Sequence, residues 1–392
     1  MDFTQSQLRI LEMIKNKNKI SRKRIAEELE LTPAAITKSI EPLLQSGIVL
    51  EVSQRESTGG RRAIDLSLNK YWVGKILGIS LTPTSLVISV GNVAGEIVKT
   101  KSYKISEDKE LIDYLETIIE KELEEEKGIK VISMAITGLI NSEKGVIIFS
   151  PHYKRKKIDV RDRIEKRFNL PTLIENDVRA MALTEKYFGG AQDSENYVVL
   201  NVSEGIGSSI FVNGNLLSGH GFISGEIGHV VMDRSSLRRC SCGKRGCLEA
   251  EASNKAIINR LVSMIKLNNY SSLKEKLNTK GTIGILDVLQ GVKERDFLST
   301  KVSTEAMVII AHSIDMIISL INPEKIILVG ELFKENLLLN TLKLELQKVT
   351  LEEQKYDLIV SNMLDEMHTY NPIAVVRHNL FKKNMWRDEV WN

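Results

Sequence analysis

Apolar residues Leu8, Leu11 and Ile14 recur at near-helical spacing, and the polar run 16–19 ends that first amphipathic helix. Ser21 stands where an N-cap belongs, ahead of RKRIAEELEL with Ile25, Ala26 and Leu29 on its buried face. Thr32 and Pro33 then open a third helix, PAAITKSIEPLLQSG, which buries Ile36, Ile40, Leu43 and Leu44 and stops at Gly47. Pro42 inside it predicts a kink or a shortened helix. Next, GIVLEVSQRESTGGRRAIDLSLN reads as two strands around the tip STGGRR. Three short helices and a hairpin predict a winged helix-turn-helix over residues 1–70.

From about Tyr71 the pattern alternates between strands and helices. KILGISLTPTSLVISVGNVAGEIVKTKSYKI gives successive strands, SEDKELIDYLETIIEKELEEEKG a helix, and IKVISMAITGLI a buried strand. A short strand ends at Asn176 and Asp177 before another helix, and Asn213 and Gly214 mark a tight hairpin. STEAMVIIAHSIDMIISLINPEKIILVGELF reads as a long helix and then a strand. This predicts an α/β chain: the winged helix, a first lobe over residues 75–188 and a second over 189–392.

Composition narrows the class. With 42% hydrophobic and 27% charged residues, the chain is of ordinary globular type. No apolar run approaches the roughly 18–20 residues of a membrane span, and the N-terminus lacks the layout of a signal peptide. The three cysteines are an odd number, which together with the missing signal points to the cytoplasm. Net charge is +3, and residues 1–70 carry 12 Lys plus Arg against 9 Asp plus Glu, so the whole excess sits there. That charge belongs with double-stranded DNA as a partner. Arg22, Lys23 and Arg24 suit phosphate contacts, and Arg61 and Arg62 suit a wing on the backbone or in the minor groove. Thr32, Ala34, Ala35, Thr37 and Lys38 fall on the exposed face of the third helix, where small and hydroxyl side chains can approach base edges. One winged helix binds weakly, so a homodimer or homotetramer on a symmetric operator is expected.

All three cysteines lie in CSCGKRGC, as Cys240, Cys242 and Cys247, and His229 precedes the first by eleven residues. Three thiolates and an imidazole complete a tetrahedral set for a structural Zn²⁺, with no open coordination position. The alternative is three free thiols beside an unrelated histidine. Arg238, Arg239, Lys244 and Arg245 either offset thiolate charge or face solvent or DNA.

GEIGHVVMDRSSLRRCSCGKRGCLE and the segment from Ser150 to Glu185 resemble the ROK family of repressors and sugar kinases, over essentially the whole chain. Its xylose-repressor type shares the winged helix, the GGRR wing and the cysteine cluster. The resemblance implies an actin/hexokinase-like (ribonuclease H-like) fold and the same zinc site. It also implies a sugar held by Asn176, Asp177, Glu226, His229 and Glu249, all present here. In a ROK kinase the residue at Asp177 is the catalytic base. The kinases' Asp-x-Gly-Gly-Thr-Lys loop is SLTPTS here, with Ser80, Thr82, Pro83 and Ser85 at the altered positions. Their Gly-Thr-Gly-x-Gly is SEGIG, with Glu204, and a later Gly-Gly is Gly330-Glu331. These departures predict a regulator with no catalytic residue, most simply a repressor of carbohydrate-utilisation genes, released by a small sugar or sugar phosphate. A sugar kinase with an added DNA-binding domain is the alternative, and a ligand-blind DNA-binding protein a third. After Ser150-Pro151 the family pattern is replaced by HYKRKKID, placing His152, Tyr153 and Lys156 at the pocket rim.

Overall fold

The computed structural model describes residues 3–17, 19–53, 64–82, 85–105, 111–150 and 155–381, without the side chains of Ser53, Arg155 and Lys156. Arg61, Arg62, Pro83, His152 and Tyr153 therefore lie outside the described residues.

Helix α1 (Gln5–Lys17) buries Ile10, Leu11 and Ile14. Strand β1 (Ile20–Ser21) leads into α2 (Arg22–Leu29), where the Ser21 hydroxyl accepts the Arg24 N–H at 3.2 Å. Helix α3 (Pro33–Gln45) is capped the same way by Thr32, which accepts from the Ala35 N–H at 3.3 Å. It buries Ile36, Ile40 and Leu43, whereas Leu44 stays partly exposed, and it runs through Pro42 to Gln45. β2 (Val49–Ser53) and β3 (Ile64–Leu68) pair antiparallel, and β1 joins the other edge of β3. Three helices and this small sheet make the winged helix.

The chain forms two compact units, one of residues 1–188 and 366–392, the other of 189–365. The first continues with β4 (Lys75–Leu81), β5 (Ser85–Gly91), β6 (Ile97–Lys104), α4 (Leu111–Glu125), β7 (Ile129–Ile136), β8 (Leu139–Asn141), β9 (Val146–Ser150), β10 (Arg155–Asp159), α5 (Val160–Phe168), β11 (Thr172–Asn176) and α6 (Asp177–Tyr187). Its main sheet has the order β11-β7-β4-β5-β6, with β5 antiparallel to both neighbours and β4, β7 and β11 parallel. Ile79, Ile88, Ile132 and Met134 of this sheet meet Leu115 and Ile119 of α4 in one core.

The second unit contains β12 (Tyr197–Val202), β13 (Ile206–Val212), β14 (Asn215–Leu216), α7 (Leu248–Ala252), α8 (Asn254–Lys266), α9 (Lys274–Lys280), α10 (Ile285–Lys293), α11 (Phe297–Ile321), β15 (Lys325–Val329), α12 (Asn336–Val349) and β16 (Asp357–Val360). Its sheet order, β14-β13-β12-β15-β16, repeats that of the first unit strand for strand. Helix α11 corrects the expectation about apolar runs: it has 25 residues, and an 18-residue window within it reaches a mean hydropathy of 1.7, enough by length and composition for a membrane span. Val302, Ala306, Met307, Ile310 and Ile314 are nevertheless fully buried in the unit's core, so the apolar length is spent on packing.

The last helix, α13 (Met367–Asn379), departs from the expected boundary, which carried the second lobe to residue 392. It packs on α6, β4 and β7 of the first unit. Gly78 makes this possible, because a Cβ there would lie 2.6 Å from Cγ of Pro372.

Candidate functional site

The loop between β14 and α7 holds the cysteine cluster. Gly225 and Gly228 press it onto β13, where a Cβ at either would lie 2.0 Å from the carbonyl oxygen of Ser208 or Ile206. The Cys240 N–H bonds to Lys244 O at 2.9 Å and the Gly243 N–H to Cys240 O at 3.1 Å, folding the cysteines into a knuckle. Gly246 (φ +67°) is required, since a Cβ would lie 1.8 Å from Asp233 O.

One ligand atom each of His229, Cys240 and Cys242 falls within 4.8 Å of the others. The Nδ1 of His229 is 3.4 Å from Cys240 Sγ, and the buried Cys247 Sγ is 3.7 Å from Cys242 Sγ. Two sulfurs on one tetrahedral zinc, each at ~2.3 Å, stand about 3.8 Å apart, a spacing that the Cys242–Cys247 pair has, while Cys247 falls outside the 4.8 Å group of His229, Cys240 and Cys242. Burial raises the Cys240 thiol, and burial with the adjoining Cys242 thiol pushes Cys247 up to about 12. The other His229 nitrogen, Nε2, lies 3.7 Å from Glu226 Oε2, so the ring faces thiols on one side and a carboxylate on the other. Glu249 accepts from the Ser241 hydroxyl at 3.0 Å and the Ile206 N–H at 3.4 Å. Lys244 Nζ donates to His229 O at 2.5 Å, while Arg238 pairs with the buried Glu251. Glu226, His229 and Glu249 are thus set by one knuckle.

Asn176 and Asp177 belong to the first unit, at the junction of β11 and α6. Asn176 caps α6 by accepting the Arg179 N–H at 3.0 Å, and its Nδ2 donates to Gly138 O at 2.9 Å. Asp177 accepts the Thr137 hydroxyl at 2.7 Å and its neighbour's Val178 N–H at 3.0 Å. Burial pushes the Asp177 carboxyl above its ordinary range, against the Thr137 hydroxyl and the nearby His368. Burial in turn lowers His368, against the pull of Asp177. Thr137 and His368 escaped the sequence reading. Thr137 ends a strand that was recognised, but nothing local ties His368 to a residue so far back in the chain.

The altered phosphate loops are occupied by their own chemistry. Ser80 Oγ donates to His368 O at 2.6 Å. The Thr82 N–H bonds to Ser85 O at 2.9 Å, and the Ser85 N–H to Thr82 Oγ1 at 3.0 Å. In the second unit the Ser203 N–H turns to Gly205 O at 2.9 Å, and Glu331 lies 3.5 Å from Lys334.

On the winged helix, Thr32, Ala34, Thr37 and Lys38 are exposed and Ala35 is half-buried. The Thr37 hydroxyl donates to Pro33 O at 2.9 Å. Lys23 is the most open of the three cations at the start of α2, 3.8 Å from Glu27, while Arg24 holds Glu28 at 2.8 Å and Arg22 holds Glu51 at 2.6 Å.

A winged helix followed by two five-stranded sheets of one strand order defines a DNA-binding protein on a hexokinase-like fold. The winged helix-turn-helix DNA-binding model matches residues 3–49. The chain belongs to the ROK family, whose model matches residues 76–368. It is 29% identical over 351 residues to the xylose repressor of Caldicellulosiruptor bescii, covering 85% of this chain and 86% of that one. To the DNA-binding transcriptional dual regulator NagC of Escherichia coli it is 28% identical over 366 residues, covering 91% and 88%. Among solved structures, a ROK family transcriptional regulator, a homologue of the E. coli MLC protein, superposes with a TM-score of 0.82 at 29% identity over 95% of each chain. The ROK glucokinase of Streptomyces griseus, in complex with glucose and AMPPNP, shares the fold with a TM-score of 0.66 at 18% identity, over 77% of this chain and 98% of that one.

Proposed function

We propose that the protein is a cytoplasmic, sugar-responsive transcriptional repressor of carbohydrate-utilisation genes that acts as a homo-oligomer on operator DNA. The carrying observation is a contrast. The ROK sugar residues Asn176, Asp177, Glu226, His229 and Glu249 are all retained, while the Thr82 and Ser85 N–H groups bond to each other's residue. A phosphate cradle needs free backbone N–H groups, so this chain binds sugar without phosphorylating it. Repressors of xylose and of N-acetylglucosamine use are among its relatives, which supports a sugar or sugar phosphate as inducer.

In this reading a structural Zn²⁺ is held by His229, Cys240, Cys242 and Cys247, and it supplies charge neutralisation and rigidity. The knuckle then presents Glu226, His229 Nε2 and Glu249 as fixed acceptors, which reduces the ordering cost of sugar binding. Asp177, the kinase-base equivalent, serves as an acceptor for a sugar hydroxyl. Sugar binding releases DNA by favouring one arrangement of the paired winged helices over another. In that role Lys23, Arg24 and Arg22 grip phosphates with the wing residues Arg61 and Arg62, and α3 offers Thr32, Ala34, Ala35, Thr37 and Lys38 to the bases. A thermal-shift panel of sugars and sugar phosphates is the direct test: one pentose or amino sugar should raise the melting temperature, and a flat response across the panel refutes the inducer reading.

A further inference from the structure

Helices α6 and α13 are tied along their length inside the first unit. The Thr184 hydroxyl donates to Asn371 Oδ1 at 2.7 Å, where Asn371 is fully buried. The Tyr187 hydroxyl lies 3.1 Å from His378 Nδ1, and the Phe188 and Tyr370 rings are 5.2 Å apart. Asp177 and His368 stand at one end of this pair, where Ser80 also holds the His368 carbonyl. At the other end the pair is clasped to the winged helix. Arg377 Nη2 donates to Lys15 O at 2.6 Å, and Lys15 Nζ returns a bond to His378 O at 3.4 Å. Both cations are almost wholly buried, at 4% and 2% exposure, although long cations normally stay in water. Arg377 also donates to Val93 O at 3.3 Å and lies over the rings of Tyr187 and Phe188. Phe381 completes the clasp, packing between Phe3 and Trp72 with ring centroids 6.3 and 6.2 Å away.

We infer that α6 and α13 form one strut carrying the state of the Asp177 end to the winged helix, with Arg377 and Lys15 as its positioning residues at the DNA-binding end. Eleven helical residues of α6 span about 16 Å, so the strut joins places no single side chain can bridge. Its connectivity suits the task. The chain leaves the first unit after Phe188, at the end of α6, and re-enters at Glu366, just before α13. Both helices therefore adjoin the points where the backbone passes from one unit to the other. The Arg377 guanidinium sits on a carbonyl of the last turn of α1, where a positive charge is favoured, and any shift of α13 moves that helix end. The strut deepens the sugar reading, which supplies what sets the state at Asp177, but it can be tested without a sugar.

Coupling must be demonstrated rather than inferred from adjacency. The test is hydrogen exchange on the full chain, comparing wild type with His368→Ala, Arg377→Met, Arg377→Lys, Phe381→Leu and the His368→Ala/Arg377→Met double variant. Arg377→Met should speed exchange in α1 roughly ten-fold, as expected for loss of a buried charged donor, and should also speed it around Thr137 and Asp177. His368→Ala should speed exchange in α1. The double variant should go no further than the stronger single one, and Arg377→Lys should restore most of the protection. Phe381→Leu loosens the same clasp without removing the guanidinium and should act in the same direction, which covers poor folding of Arg377→Met. Effects confined to each variant's own end, or adding in the double variant, overturn the strut. Adding D-xylose or N-acetylglucosamine to wild type separates the two ideas. Protection near Asp177 with no change in α1 overturns the strut as transmitter. If neither sugar protects the Asp177 region, the reading of these sugars as inducers fails, while the variants still decide the strut.

Discussion

Asp177 shows what a buried carboxylate costs. Its raised carboxyl means the folded chain keeps the proton to higher pH than the unfolded chain, whose value is near 3.8. Below that value both states are protonated and folding bears no penalty; as pH rises through the folded value, the penalty grows. Asp177→Asn removes it: the amide oxygen can take the Asn176 Nδ2 and Val178 N–H bonds, and the amide nitrogen can donate to the Thr137 hydroxyl, which keeps Leu81 O as acceptor. The variant should melt a few degrees higher than wild type at neutral pH, with the gain fading toward pH 4, and should lose sugar binding. An unchanged or lower melting temperature at neutral pH contradicts the cost. Cys242 tests the knuckle at the same scale: it is exposed, so Cys242→Ser creates no cavity, yet it removes one of the four proposed zinc ligands. Bound zinc should fall from equimolar to trace by elemental analysis, with a lower melting temperature.

At the scale of elements, the caps were legible because they are local. Ser21 and Thr32 carry the acceptor oxygen and sit three residues before the N–H they take. Thr32→Ala removes the cap of α3 and should cost about 1 kcal/mol. Chemical denaturation of the full chain and exchange in α3 would read it, and operator affinity should fall with it. The knuckle was legible for a similar reason, since Cys240, Cys242, Cys247 and the glycines that turn the chain fall within one short run. Helix α11 was harder to read. Its length and hydropathy alone match a membrane span, and burial of Val302, Ala306 and Ile310 against the second sheet makes it a core helix.

The whole molecule combines a winged helix-turn-helix with a hexokinase-like fold, and the stretches aligned with the kinases' phosphate loops bear on which role it has. A coupled assay for ADP release should show no sugar-dependent turnover with ATP, because Thr82 and Ser85 bond each other where phosphate oxygens would need donors. Turnover that rises with sugar would restore the kinase reading. Operator binding should weaken steeply with salt, as expected for the proposed phosphate contacts of Arg22, Lys23 and Arg24.

By itself, the sequence determined the winged helix, the α/β repetition, the cysteine–histidine knuckle and the loss of the phosphate loops. These rest on short-range pattern: helical and strand periodicity, caps, turns and ligands a few residues apart. Tertiary structure alone decided that α13 returns to the first unit, that His368 stands by Asp177, and that Arg377 and Lys15 clasp across more than three hundred residues. Such contacts depend on which faces the two sheets leave open for packing, and no local spacing encodes that choice.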